Sequence, residues 1–97
     1  MLRLSTESVH FWRVSQMITV DISVPVIGKT YDFSIDENTS VETITEEIVD
    51  LIIQKEAYSF QDISQMHLFF ANKKTLLNPA KSLYSNGVDN GDRLILV

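Results

Sequence analysis

The sequence contains no cysteine, and its 97 residues include only 3 glycines and 2 prolines. Without cysteine the chain can form no disulfide bond, zinc–thiolate site, thiolate nucleophile or cysteine-ligated iron–sulfur cluster. The few glycines and prolines, together with a hydrophobic fraction of 44%, exclude a collagen-like repeat and a disordered tail. A chain of this length has room for one domain only.

Long apolar runs and excess positive charge are missing as well. No apolar run comes near the roughly 20 residues that a membrane span needs. Residues 1–16 lack the uninterrupted apolar stretch of a secretory signal, so we expect a cytoplasmic protein with no direct membrane insertion. Eight basic residues against 13 acidic ones give a net charge of −5. Phosphate backbones repel such a chain, and nucleic acid is therefore not an expected partner.

Two segments of alternating polarity open the patterned part of the sequence. Ile18, Val20, Ile22 and Val24 alternate with polar residues, and a second alternating run covers 31–36. Period-2 alternation is typical of half-buried strands. Pro25–Lys29 supplies turn chemistry between the two runs, which predicts an antiparallel hairpin. Residues 1–16 form an N-terminal extension before this domain, and Met17 is a candidate for the natural first residue.

A helix is predicted next. Thr39 and Glu42 form a capping-box pattern, with Ser40 as the alternative cap, and the helix should end near Lys55 and Glu56. The apolar residues at helical spacing are Val41, Ile44, Ile48, Leu51 and Ile52. Val49 and Ile53 lie on the flank of this stripe. They are either covered by the loop 57–65 or left as a second contact surface.

The remaining strands complete the fold prediction. We expect strands at 66–71 and 92–97, with a short strand at 75–77 between them. The order of strand, strand, helix and three strands predicts an α+β fold of the β-grasp type. A mixed sheet of four to five strands should pack on one helix, and the domain should cover 17–97.

Residues 17–97 resemble ubiquitin over their whole length. They are more similar to the ubiquitin-like YukD/EsaB family of type VII secretion accessory proteins, through the stretch Asn-Gly-Val-Asp-Asn-Gly-Asp-Arg-Leu at 86–94. The resemblance implies a small cytoplasmic accessory protein in a Gram-positive bacterium. It further implies binding to a protein component of the secretion machinery, such as the membrane ATPase or another core component.

The residues support no catalytic, cofactor or metal site. Gly28, Gly87 and Gly91 are never adjacent, so the Gly-Gly tail needed for conjugation is absent. No nucleophile–base pair can be assembled around the two histidines at 10 and 67. The acidic alternation at 32–36 lacks the glycine and glutamate spacing of a calcium loop. We therefore expect a non-catalytic, non-conjugating protein that needs no cofactor.

A protein-binding patch is the functional prediction that the pattern favours. Phe69, Ile95 and Val97 occupy positions opposite the helix side of their strands, with His67 at the margin. Contiguous exposed apolar surface usually marks an interaction site. Two alternatives stay open: the extension 1–16 covers the patch through Phe11 and Trp12, or it exchanges between two copies of the chain in a homodimer.

Overall fold

The computed structural model describes residues 2–4, 17–60 and 62–97, which form a six-stranded sheet and one α-helix. Short 3-10 turns lie at Pro25–Ile27 and Ile63–Gln65. The helix, α1, covers Val41–Glu56. The strands are β1 Leu2–Leu4, β2 Met17–Val24, β3 Lys29–Asp36, β4 Leu68–Phe70, β5 Thr75–Leu76 and β6 Arg93–Leu96.

The sheet has the strand order β1-β3-β2-β6-β4-β5. β2 and β3 form the predicted hairpin and pair along all of Met17–Val24. β2 also pairs with β6 in parallel, while the other neighbours are antiparallel. This confirms the mixed β-grasp sheet on one helix. The N-terminal Leu2–Leu4 adds a sixth strand to the five of residues 17–97. β4 and β6 are also shorter than the predicted ranges 66–71 and 92–97.

One face of the sheet and one side of α1 enclose the core. Strand residues alternate between the two faces because successive side chains of a strand point in opposite directions. β2 shows this without a break, since every second residue from Ile18 to Val24 is buried. The buried helix residues are Val41, Ile44, Thr45, Ile48, Val49 and Ile52. Leu51, which the periodicity assigned to this stripe, packs only partly against the core.

Ser40, and not Thr39, caps the helix N-terminus. The Ser40 hydroxyl oxygen accepts a hydrogen bond from the Thr43 backbone N–H at 3.3 Å, and Ser40 has the extended backbone typical of an N-cap. The capping box that began at Thr39 was therefore wrong by one position. With Ser40 as the cap, the helix begins at Val41, which is the first of its buried residues.

Glu56 ties the last turn of α1 to the beginning of β3. Its carboxylate lies 2.7 Å from Lys29 Nζ and also accepts a hydrogen bond from the Tyr31 hydroxyl. The bond to Lys29 and then the bond to Tyr31 lower the pKa of Glu56. Burial, followed by the contact with Glu56, raises the pKa of Tyr31 to about 12. The hairpin and the helix are thus joined by polar contacts at the rim as well as by the core.

Two carboxylates face each other across the hairpin on the sheet face that lies opposite α1. Asp21 and Asp32 are directly opposed in the register of β2 and β3. A hydrogen bond to Asp21, followed by charge repulsion from it, raises the pKa of Asp32. Like charges directly opposite in a sheet are destabilising, so this pair costs stability when both groups are ionised.

We predict that Ser40→Ala lowers the free energy of unfolding by about 1 kcal/mol, because it removes the side-chain acceptor of the helix cap. Urea unfolding followed by circular dichroism measures the change. Thr39→Ala is the matched control and should have a clearly smaller effect. An equal loss in both variants would contradict the assignment of the cap to Ser40.

We predict that Asp32→Asn makes the protein less sensitive to pH between 4 and 7. Because the pKa of Asp32 is raised in the folded state, the stabilising contribution of its protonated form is complete below the unfolded pKa of 3.8 and is lost as the pH rises through the folded pKa. Removing the carboxylate should therefore raise the melting temperature at pH 7 more than at pH 4. The exposed helix variant Asp50→Asn serves as control, and an equal response from it would refute the role of the opposed pair.

Candidate protein-binding surface

The structure places three of the four predicted partner-binding residues, Phe69, Ile95 and Val97, on one face of the sheet, with His67 at its margin. Phe69 and Ile95 are directly opposed across β4 and β6, and both are half-buried. His67 and Val97 exchange backbone hydrogen bonds of 2.7 and 2.9 Å just beyond this pair, and both side chains are exposed. Phe69, Ile95 and Val97 alternate with core residues, so they lie on the face away from α1, called here the open face. His67 precedes β4 and also lines a cleft beside α1.

Leu76 belongs to the same surface and was missed by sequence reasoning. It is opposed to Phe69 across β4 and β5, and 55% of it is exposed. Its neighbour Leu77 is buried in the core, so alternation directs Leu76 to the other side. The sequence signal for this residue is the adjacent pair Leu76-Leu77, because two successive leucines in a strand place one of them on each face of the sheet. We define the sheet patch as Phe69, Leu76, Ile95 and Val97.

Val26 extends apolar surface at one end of the sheet. It lies in the turn between β2 and β3 and is 58% exposed. β2 and β6 run in the same direction, so this turn lies at the end of the sheet where Val97 follows β6. Gly28 closes the turn with a φ of 65°, in the left-handed region that glycine occupies without steric cost.

A charged row borders the sheet patch. Arg93 precedes Ile95 on the open face and is opposed to Asp21, which in turn is opposed to Asp32. A hydrogen bond to Asp21 and then charge repulsion from it raise the pKa of Asp32, so ionisation of both carboxylates at this end of the row is unfavourable. Lys73 and Lys74 are exposed in the turn after β4. Arg93 therefore borders the sheet patch on one side, with the carboxylates of Asp21 and Asp32 farther along the row.

The stretch that carries the family resemblance is a structural connection that holds β6 in place. Asn90 Oδ1 accepts a hydrogen bond of 2.8 Å from the Thr19 N–H, and the Gly91 N–H donates one of 2.7 Å to the Thr19 carbonyl. Asp92 Oδ2 accepts from the Asp89 N–H at 2.8 Å. Gly91 has a φ of 89°, a conformation that side-chain-bearing residues rarely adopt. The stretch thus positions the strand that carries half of the sheet patch.

The helix flank provides no second apolar surface. Val49 is fully buried and Ile53 packs against the core, as does Phe60 from the following loop. A cleft of about 500 Å³ lies between the first half of α1 and β4, with Glu42, Glu46 and His67 among its lining. No group of three or more acidic or histidine side chains in the described ranges could hold a metal ion.

Two sequence predictions concern residues that the structure does not describe. The covering role of Phe11 and Trp12 falls within 5–16, outside the described residues. The exchange of 1–16 between two copies falls largely on the same segment. In the described part of the chain, no helix is long and apolar enough to cross a membrane.

Solved structures that resemble this chain are ubiquitin-like. The ubiquitin of Caldiarchaeum subterraneum is 20% identical with a TM-score of 0.62, over 82% of this chain and 90% of that one. The ubiquitin-like domain of an Arabidopsis thaliana protein is 15% identical with a TM-score of 0.63, over 97% and 90%. At these identities the likeness shows the fold alone.

A further structural match is a chain of the MycP5-free ESX-5 inner membrane complex, with 18% identity and a TM-score of 0.67. The match covers 84% of this chain but 21% of that much longer one. No curated protein sequence matches the chain. The model of the family described as "WXG100 protein secretion system (Wss), protein YukD" matches residues 18–96, which are 79 of the 97 residues. The chain therefore belongs to the YukD family of ubiquitin-like, secretion-associated proteins.

Proposed function

We propose that this protein is a non-catalytic accessory of a type VII secretion system and that it binds a protein component of the machinery through the sheet patch. The observation that carries the proposal is the row of apolar side chains on the open face of a YukD-family domain. Side chains on that face do not contribute to the core, which lies between the other face of the sheet and α1. Their exposure favours a role in recognition.

The composition of the sheet patch fits a protein partner. An aromatic ring, Phe69, lies at its centre between Leu76 and Ile95 on the neighbouring strands. Aromatic side chains in the middle of an apolar patch are frequent binding hot spots, and a polar rim improves orientation of the partner. Arg93 lies at such a rim, and Lys74 is exposed in the turn after β4. The Lys73 ammonium lies instead over the ring of the core residue Phe70, 5.7 Å from its centre. The complementary surface should be apolar at its centre and acidic where it meets Arg93.

The structural match to a chain of an ESX-5 inner membrane complex supports a partner within the secretion machinery. A domain of the same fold is part of that assembly, and YukD is named for the WXG100 secretion system. We therefore propose a membrane ATPase or another core component as the partner. The protein would work in the cytoplasm of a Gram-positive bacterium and reach the membrane through that partner.

We predict that Phe69→Asp abolishes capture of secretion-machinery proteins by the immobilised full-length chain. A charge at the centre of the sheet patch should cost about 2 kcal/mol of binding free energy, or roughly a thirtyfold loss of affinity. Membrane extracts of the source cells supply the partners, and mass spectrometry identifies the captured proteins. Circular dichroism must show the same fold in the variant, because Phe69 is half-buried.

Tyr84→Asp is the matched control. Tyr84 is an exposed aromatic residue, 67% accessible, and lies outside the sheet patch, so its substitution should leave capture unchanged. Equal capture by wild type and Phe69→Asp would contradict the site. Capture of proteins unrelated to secretion, lost with Phe69→Asp alone, would keep the site but contradict the proposed role. Light scattering of the full chain tests the remaining alternative, a homodimer that buries the patch against a second copy.

A further inference from the structure

The outer edge of β3 carries a feature that the sheet patch does not explain. Leu2–Leu4 pairs with this edge as an antiparallel strand, with Leu2 opposed to Ile35 and Leu4 opposed to Phe33. β1 also lies beside α1, so it occupies the groove between the helix and the sheet edge. Leu2–Leu4 is thus a sixth strand at the edge of the five-stranded sheet that residues 17–97 form.

β1 uses only part of the edge that β3 offers. β3 has eight residues, all paired with β2 on its inner side, while β1 pairs with only Phe33, Ser34 and Ile35. In the part of the chain that the structure describes, no strand pairs with residues 29–32 on the outer side. An unpaired strand edge presents a row of backbone donors and acceptors that another strand can join. An extended partner segment could therefore pair with this edge in place of β1.

The register defines the chemistry that the edge selects. Ile35 and Phe33 are fully buried, so strand positions opposite them belong to the core face and favour aliphatic residues. The position opposite Ser34 belongs to the open face and lies between Asp32 and Asp36 along β3. Negative charge on both sides favours a basic residue at that position. β1 has this pattern, with leucine, arginine and leucine in succession.

We propose that the outer edge of β3 is a peptide-binding site for an extended partner segment with alternating aliphatic and basic residues, and that Leu2–Leu4 is its intramolecular occupant. The partner segment adds antiparallel to β3 and displaces β1. Because β1 competes for the edge, the affinity for the segment depends on the fraction of molecules in which β1 is released. This site lies at the opposite side of the sheet from β4 and β5 and does not depend on the sheet patch.

The test uses the full-length chain and a synthetic fluorescent peptide of alternating leucine and arginine. The double variant Leu2→Asp, Leu4→Asp replaces the two leucines that are in register with Ile35 and Phe33 by charged residues and should release the edge. If β1 occupies the edge in nine of ten molecules, the double variant binds the peptide about tenfold more tightly than wild type. Fluorescence anisotropy measures both affinities. Amide NMR shifts on peptide addition should concentrate at Phe33, Ser34 and Ile35.

Control measurements separate this site from the rest of the molecule. A peptide with glutamate in place of arginine should bind more weakly, because it meets Asp32 and Asp36. Phe69→Asp, placed in the background of the double variant, should bind the original peptide as tightly as the double variant itself. The peptide-site proposal and the sheet-patch proposal can therefore fail independently of each other.

Three results would overturn the proposal. The first is an absence of binding by the double variant, with circular dichroism showing an intact fold. The second is equal affinity of wild type and the double variant for the peptide. The third is a wild-type dimer that the double variant loses, since residues 2–4 of a second copy would then occupy the edge.

Discussion

The parallel pairing of β2 with β6 is the interaction on which the rest of the structure depends. It joins the N-terminal hairpin to the C-terminal strands through the register of Ile22 with Leu94. Both residues are fully buried beneath α1, so this pairing also completes the core. Because β2 lies between β3 and β6, both of its edges are paired. The other strands add outside these three: β1 pairs with the outer edge of β3, and β4 and β5 extend the sheet beyond β6.

This pairing explains why a short stretch of turn residues carries the resemblance to the family. Asn90 and Gly91 both bond to the backbone of Thr19, and the Asp21 N–H donates to the Asp92 carbonyl at 3.1 Å. These bonds extend the contact between β2 and the chain before β6. The stretch therefore has a structural purpose, and the surface that we propose for recognition lies on β6 itself and on the neighbouring strands β4 and β5. The fold and the proposed binding surface depend on different side chains of the same segment.

The sequence was informative wherever burial repeats with a regular period. The alternation in β2 and the spacing in α1 predicted the hairpin and most of the core, because one buried side imposes the pattern. The alternation within 66–71 and 92–97 predicted the face on which Phe69 and Ile95 lie. Leu76 was missed because β5 has two residues, too few to show a period. The opposition of Asp21 and Asp32 follows from the register of the β2–β3 hairpin, which depends on the exact geometry of the turn and changes completely with a one-residue shift. The pairing of Leu2–Leu4 with β3 joins segments that are distant in the sequence, and no local pattern encodes it.

The place of β6 in the middle of the sheet also bears on how the molecule reaches its native state. Thr19 and Asn90 are 71 residues apart in sequence, yet they are hydrogen-bonded neighbours. During synthesis the hairpin and the helix can form from local contacts, whereas the central strand becomes available only after nearly all the others. Contacts of such long sequence separation slow folding, and until they form, the inner edges of β2 and β4 are both unpaired. The nascent chain is then most exposed to wrong strand pairing at the centre of its sheet.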